Sequence, residues 1–275
     1  MSNDSSDTTQ VSSGNVPKSQ FVKRFQVGKN NINHSFGSPL RVVTTALLIF
    51  FASQLAAASL VAFALSLGGS GSRLSELNDQ AFMQFSYVVL AEGFTAFLIL
   101  RVLKNRGLSW KHIGLNRSIQ ISDIVRAVAG FIVFYGLLIG VGLLMALLVP
   151  EFKTDQPQDV GFNNLSSYLD QIMAFVTLVA LVPIVEEILA RGYLYSGLRS
   201  RMRFAPAMIL TSIIFAVPHL FGGPQLVWGA AINTFVLSIV LVYLREKTGA
   251  LYASIVVHAL NNLVAFGVQF HSSML

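Results

Sequence analysis

Long apolar runs separated by short polar segments make up most of this chain of 275 residues. Each run has about 18 residues or more, which is the length that an α-helix needs to cross a bilayer. The pattern predicts an all-α polytopic membrane bundle of about seven helices, within a range of about six to eight because the last three runs are short and closely spaced. The predicted spans are about 42–67, 82–103, 124–149, 172–198, 204–221, 225–244 and 250–270.

The first 40 or so residues have a different composition from the rest. They are rich in Ser, Asn, Asp and Gly and lack an apolar period, which is typical of a disordered segment. We therefore predict a polar, disordered cytoplasmic tail at 1–40 and a single membrane domain at 41–275.

Charge and composition limit the kinds of chemistry and binding that this protein can have. The chain is 53% hydrophobic, carries a net charge of +6 and contains no cysteine. Disulfides, thiol catalysis and thiolate metal sites are thereby excluded. The positive charge does not indicate nucleic acid binding, because the cations are concentrated in alternate loops between the spans.

The distribution of those cations predicts the orientation in the membrane. Lys and Arg occur in the tail, at 104–117, at 199–203 and at 245–247, whereas the loop at 151–159 is acidic. By the positive-inside rule this pattern predicts a multi-pass protein of the cell membrane, with a cytoplasmic N-terminus and an external C-terminus.

Two carboxylates and a guanidinium lie inside the fourth apolar run, at Glu186, Glu187 and Arg191. An ionised side chain at the bilayer centre costs roughly 2.5–3.5 kcal/mol on insertion scales, so a functional site is the first hypothesis. Glu187 and Arg191 stand at i and i+4, in the favourable order for an ion pair. Glu186 is rotated about 100° from Glu187, which leaves it free to act.

Further polar groups occur in other spans. His219 follows Phe215 by one helical turn, and His258 precedes Asn262 by one turn. A carboxylate, two imidazoles and a carboxamide are sufficient for peptide hydrolysis: Glu186 could accept a proton from water and Asn262 could stabilise the oxyanion. For Glu92 we predict an ion pair with a cation of another helix, such as Arg191.

The motifs Glu186-Glu187-x-x-x-Arg191, Phe215-x-x-x-His219 and His258-x-x-x-Asn262 resemble, in that order, the three motifs of the CPBP intramembrane proteases. That family includes the type II CAAX prenyl endopeptidases and the bacterial Abi proteins. The resemblance covers a catalytic core at about 172–266, and the half of the chain before it matches only in being apolar and helical.

The resemblance implies an intramembrane endopeptidase that cleaves a membrane-associated protein or peptide, including prenylated CAAX-type substrates. It implies that Glu186 and His219 activate water, that His258 and Asn262 polarise the scissile carbonyl, and that Glu187, Arg191 and Phe215 support the site. Members have been described both as metalloproteases and as glutamate-dependent enzymes. We favour no tightly bound metal; zinc or another divalent ion, if required, would be held by Glu186, His219 and His258.

Two questions stay open at the level of sequence. In straight helices His219 lies nearer the outer side than Glu186 and His258, unless bends at Pro183 and Pro218 bring these groups together. The competing functions are a non-catalytic, immunity-type membrane regulator and an ion-coupled transporter that uses the same buried acids. The substrate, the cleavage site and the oligomeric state are not predicted.

Overall fold

The computed structural model describes residues 35–67, 80–149, 160–162, 165, 167–222 and 225–274. The predicted disordered tail, up to residue 34, and the acidic loop at 151–159 lie outside the described residues. Within the described part of the chain, seven helices are long and apolar enough to cross a membrane, as the hydrophobic pattern predicted. They are Pro39–Leu67 (α1), Gln80–Asn105 (α2), Ile121–Leu148 (α3), Tyr168–Arg199 (α4), Phe204–Phe221 (α5), Trp228–Thr248 (α6) and Tyr252–Met274 (α7).

Helix α4 is central to the bundle, since it packs against α1, α2, α5, α6 and α7. The outer helices present apolar side chains on their exposed faces, as lipid contact requires: Leu48 and Phe51 of α1 are 69% and 61% exposed, and Leu147 of α3 is 79% exposed. Helix α4 is therefore shielded from lipid over much of its length, which allows it to carry charged side chains.

Helix α4 is not a uniform α-helix. It has π-helical segments at Val176–Leu181 and Ile188–Tyr195, which flank an α-helical turn at Val182–Glu187. Pro183 lies two residues after the end of the first π segment; it has no N–H for the carbonyl one turn earlier and its ring clashes with that carbonyl, so the helix widens there. The two acidic residues thus lie on a short regular turn between two irregular ones.

Helix α5 also changes its geometry, at the position of the second proline. It is α-helical over Phe204–Ala216 and continues as a 3₁₀-helix over Val217–Phe221, with Pro218 in the first turn. Because a 3₁₀-helix has about three residues per turn, His219 is displaced from the position that a straight α-helix would give it. Both prolines therefore mark the irregularities that the sequence suggested.

One end of the bundle carries Arg199–Arg203 and Arg245–Lys247 and is here called the basic end. Polar contacts between helices hold this end together. Arg199 Nη2 of α4 donates a hydrogen bond to Glu246 Oε1 of α6 at 3.0 Å. The Tyr195 hydroxyl donates a second one to Oε2 of the same carboxylate at 2.7 Å. Gly114, at φ +96°, lies directly against the guanidinium of Arg245, and a Cβ there would come within 2.6 Å of it. These contacts fix the ends of α4 and α6 relative to each other.

Candidate active site

The ion pair between Glu187 and Arg191 is confirmed. Arg191 Nη1 donates to Glu187 Oε1 at 2.6 Å, and both side chains are fully buried. An ionised pair in this environment is retained only with good geometry, because each charge alone would be strongly destabilising. The pair spans the junction between the α-helical turn and the second π segment of α4.

Phe215 contacts both the supporting and the candidate catalytic residues. Its ring lies 4.1 Å from the Arg191 guanidinium carbon, a cation–π distance. The same ring lies 5.6 Å from the His219 imidazole and 5.9 Å from the His258 imidazole. Phe215 therefore holds α5 against α4 and α7 at the level of the site.

His258 is bonded to Glu187 through its Nδ1 atom. The Nδ1 to Oε1 distance is 3.1 Å, and the contact joins α7 to α4. Since the ionised carboxylate of Glu187 can only accept, Nδ1 carries the proton. In the neutral imidazole Nε2 then has a free lone pair, and this atom faces Glu186 Oε2 at 3.7 Å, which is too long for a direct hydrogen bond.

His219 has the same arrangement. Its Nδ1 lies 3.1 Å from the carbonyl oxygen of Phe215, which can only accept, so Nδ1 is again the donor and Nε2 is the free nitrogen. Both imidazoles thus have Nδ1 occupied by a protein acceptor, which leaves Nε2 available to a ligand or to water.

Asn262 bonds to the irregular part of α4. Its Nδ2 donates to the carbonyl oxygen of Leu178 at 2.9 Å, inside the first π segment. Asn261 Nδ2 donates to Asn262 Oδ1 at 3.4 Å. One N–H of the Asn262 carboxamide is used in this way, and its second N–H remains for another acceptor.

A cavity of about 300 Å³ between α4, α5, α6 and α7 brings these side chains together. Glu186, His219, His258 and Asn262 all line it. Phe215 lines it as well, whereas Glu187 and Arg191 lie behind the wall. Within the acidic pair, Glu186 thus reaches the cavity, whereas Glu187 bonds to Arg191 and His258.

Sequence reasoning missed the polar wall formed by α6. Asn233 and Thr234 line the cavity together with Ala230 and Leu237, and this i, i+3, i+4, i+7 spacing is one helix face. Neither polar side chain forms a hydrogen bond with another described residue. A carboxamide beside a hydroxyl in an apolar span is the sequence signal that could have indicated this wall.

The prediction for Glu92 is wrong within the described residues. This side chain of α2 is 7% exposed, yet none of the ion pairs among the described residues includes it. It lies close enough to Glu186 for the two charges to interact. Glu92 is therefore a third acidic group near the site, and Arg191 is not its counter-ion.

The fit of the site to a metal ion depends on how its donors are grouped. Glu186 Oε2 and His258 Nε2 face each other at 3.7 Å, but among the described residues no three His, Asp or Glu side chains are grouped closely enough to hold a metal. As they stand, the donors do not fit a three-residue zinc site, and we derive no step through a metal.

Residues 168–264 match the model of the family described as type II CAAX prenyl endopeptidase Rce1-like. The match confirms the resemblance to the CPBP and CAAX proteases, and the matched segment contains all three motifs and most of the cavity wall. At the level of family it supports a CAAX-type intramembrane endopeptidase. Neither the curated proteins nor the solved structures gave a match to this chain.

Proposed function

We propose that this protein is an intramembrane endopeptidase that hydrolyses a peptide bond of a membrane-associated protein or peptide. The observation that carries the proposal is the cavity within the spans, into which Glu186, His219, His258 and Asn262 all project. The family match supports the same class of enzyme.

Glu186 is the base in this proposal. A water molecule in the cavity donates a proton to the Glu186 carboxylate and attacks the scissile carbonyl carbon, and Nε2 of His219 orients the same water by accepting its other hydrogen. When the tetrahedral intermediate collapses, the C–N bond breaks and the proton passes to the departing amine. Atoms and charge balance with one water consumed for each bond cleaved.

The oxyanion is stabilised by Asn262 and His258. Asn262 has one N–H left after bonding to Leu178. His258 can donate from Nε2 only as the imidazolium, because its Nδ1 proton is already directed at Glu187. Glu187 orients the imidazole by accepting a hydrogen bond from its Nδ1, so Glu187 has a second role beside its ion pair with Arg191.

The orientation in the membrane is part of the proposal. Following the positive-inside rule, the basic loops and the N-terminus face the cytoplasm and the C-terminus faces outward. The substrate is a protein or peptide held at or within the bilayer.

The proposal is tested with purified protein in lipid vesicles and a fluorogenic peptide that carries a prenylated CAAX sequence, beside an unprenylated transmembrane peptide. We expect cleavage of at least one peptide by the wild type, loss of cleavage in Glu186→Gln and His219→Ala, and retention in His112→Ala. His112 is the matched control, because its imidazole lies in the loop before α3 and contacts Ser109. If Glu186→Gln cleaved the peptide as fast as the wild type, Glu186 could not be the base. The metal content of the active preparation distinguishes a glutamate-dependent mechanism from a metal-dependent one.

A further inference from the structure

The main-chain carbonyl oxygen of Leu178 lies where the hydrogen-bond pattern of α4 changes. In an α-helix each N–H donates to the carbonyl four residues earlier, whereas in a π-helix it donates to the carbonyl five residues earlier. The N–H of Val182 donates to the carbonyl oxygen of Thr177, five residues before it. In the α pattern the same N–H would have served Leu178, so the π pattern takes this donor away from it.

The donor that the π pattern would offer Leu178 in exchange is missing. It would be the N–H of residue 183, five positions further on, and Pro183 has no N–H. Val182 is thus directed at Thr177 and Pro183 cannot donate, so neither helical pattern supplies the Leu178 carbonyl with a main-chain hydrogen bond. A carbonyl left without a partner within a membrane span is costly, because lipid offers no donor.

Asn262 of α7 supplies a donor to this carbonyl. Its Nδ2 lies 2.9 Å from the Leu178 oxygen. Because a carbonyl oxygen only accepts, the amide nitrogen must face it, and this contact fixes which way round the carboxamide lies. The donation of Asn261 Nδ2 to Asn262 Oδ1 at 3.4 Å agrees with that orientation. The second N–H of Asn262 is then available in the cavity, which this side chain lines.

We propose that Pro183 is a positioning residue for Asn262: by withholding a main-chain donor from the Leu178 carbonyl, it keeps that oxygen for the Asn262 carboxamide, whose second N–H then meets the oxyanion. The inference rests on the proposed function and deepens it. If residue 183 could donate, the Leu178 carbonyl would be satisfied within α4 in either pattern, by residue 182 in an α-helix or by residue 183 in a π-helix. The carboxamide could then turn its oxygen, which repels an oxyanion, into the cavity.

Two substitutions restore the N–H at this position. Pro183→Ala does so with the smallest side chain, and Pro183→Val also keeps much of the apolar volume of a buried site. The full chain in lipid vesicles is assayed with a transmembrane peptide. We expect kcat to fall by about tenfold or more in both variants, since a misplacement of about 1 Å can cost on the order of 10²-fold, with KM unchanged. Unchanged kcat in both variants would overturn the inference.

The matched control is Pro206→Ala. Pro206 is exposed and lies in the first turn of α5, where an N–H has no partner within the helix. This substitution should change neither kcat nor the unfolding temperature.

Asn262→Ala separates this role of Pro183 from a general effect on the shape of α4. Removing one oxyanion donor lowers kcat by about 10²–10³-fold. If Pro183 acts through Asn262, the double variant Pro183→Ala with Asn262→Ala should be no slower than Asn262→Ala alone. Losses that multiply in the double variant would contradict a role through Asn262.

Thermal unfolding of the same four proteins provides a readout that needs no catalysis. Asn262→Ala should lower the unfolding temperature of the wild type, because the Leu178 carbonyl loses its donor, and should lower that of Pro183→Ala by less. Equal losses in the two backgrounds would overturn the inference. A wild type that cleaves no peptide would contradict the proposed function, and the unfolding temperatures would still decide whether residue 183 and Asn262 compete for the Leu178 carbonyl.

Discussion

Glu187 accepts a hydrogen bond from His258 across the interface of α4 and α7, with 3.1 Å between Glu187 Oε1 and His258 Nδ1. The same oxygen accepts from Arg191 at 2.6 Å. Glu187 therefore joins the structural ion pair to the imidazole that faces Glu186. This arrangement fixes the tautomer and the orientation of the His258 imidazole.

Replacing Glu187 with glutamine should impair catalysis and also lower stability, because Arg191 is left buried without its counter-ion. Glu187→Gln keeps the size and an accepting oxygen but removes the charge, so the hydrogen bond that orients His258 is weakened. We expect kcat to fall by about 10²-fold or more, with KM little changed. The measurement is steady-state cleavage of a membrane peptide, beside the circular dichroism of each variant.

Glu246→Gln is the matched control for that change, because Glu246 is a paired carboxylate at the basic end of α6, outside the cavity. It should keep the wild-type kcat. An unchanged kcat in Glu187→Gln would show that Glu187 serves the ion pair alone.

Arg191→Ala should lower the folded yield. It leaves Glu187 buried without its counter-ion and removes the cation–π contact with Phe215, at a cost of about 3–5 kcal/mol. Thermal unfolding in detergent measures the loss. The double variant Glu187→Leu with Arg191→Leu should recover much of the stability while remaining inactive; a double variant no more stable than Arg191→Ala would argue against this explanation.

Phe215→Leu should disturb the position of three side chains at once. The ring lies within 6 Å of Arg191, His219 and His258, and losing the cation–π contact costs about 1–2 kcal/mol in a desolvated site. We expect a lower unfolding temperature together with reduced cleavage. Phe97→Leu, on an exposed face of α2 where the ring is 55% accessible, should change neither quantity, and equal effects of the two substitutions would contradict a special role for Phe215.

The polar wall of α6 should bind the main chain of the substrate. Asn233 offers both a donor and an acceptor, which matches a peptide bond, and Thr234 adds a hydroxyl. Asn233→Leu and Thr234→Val should each raise KM by about fivefold, since a hydrogen bond contributes about 1 kcal/mol, and affect kcat less. Thr211→Val is the control, because Thr211 is a buried hydroxyl of α5 that does not line the cavity; a KM unchanged in both cavity variants would exclude the wall from substrate binding.

The spans and the ion pair were predictable because they depend on local rules. Span length follows from the thickness of the bilayer, and the Glu187–Arg191 contact follows from i, i+4 geometry. The grouping of Glu186, His219, His258 and Asn262 around one cavity followed the family motifs, although simple helix geometry placed His219 too far out.

The remaining features depend on how the helices pack. Pro183 and Pro218 indicated irregular helices, but not that one widens to a π-helix and the other tightens to a 3₁₀-helix. The bond between Glu187 and His258 joins residues 71 positions apart, so it depends on the rotation of α4 against α7, which no local rule supplies. The same applies to Glu92, whose neighbours are set by the packing of α2 against α4.

The central claim is that Glu186 activates water for peptide hydrolysis. The most direct measurement is peptide-terminus profiling of host membranes, comparing cells that contain the wild type with cells that contain Glu186→Gln at equal levels. We expect new termini in the wild type that are absent from the variant, and their sequences identify the substrate and the leaflet in which it is held. Identical profiles with both proteins folded would contradict a catalytic role of Glu186 and favour the regulator or the transporter.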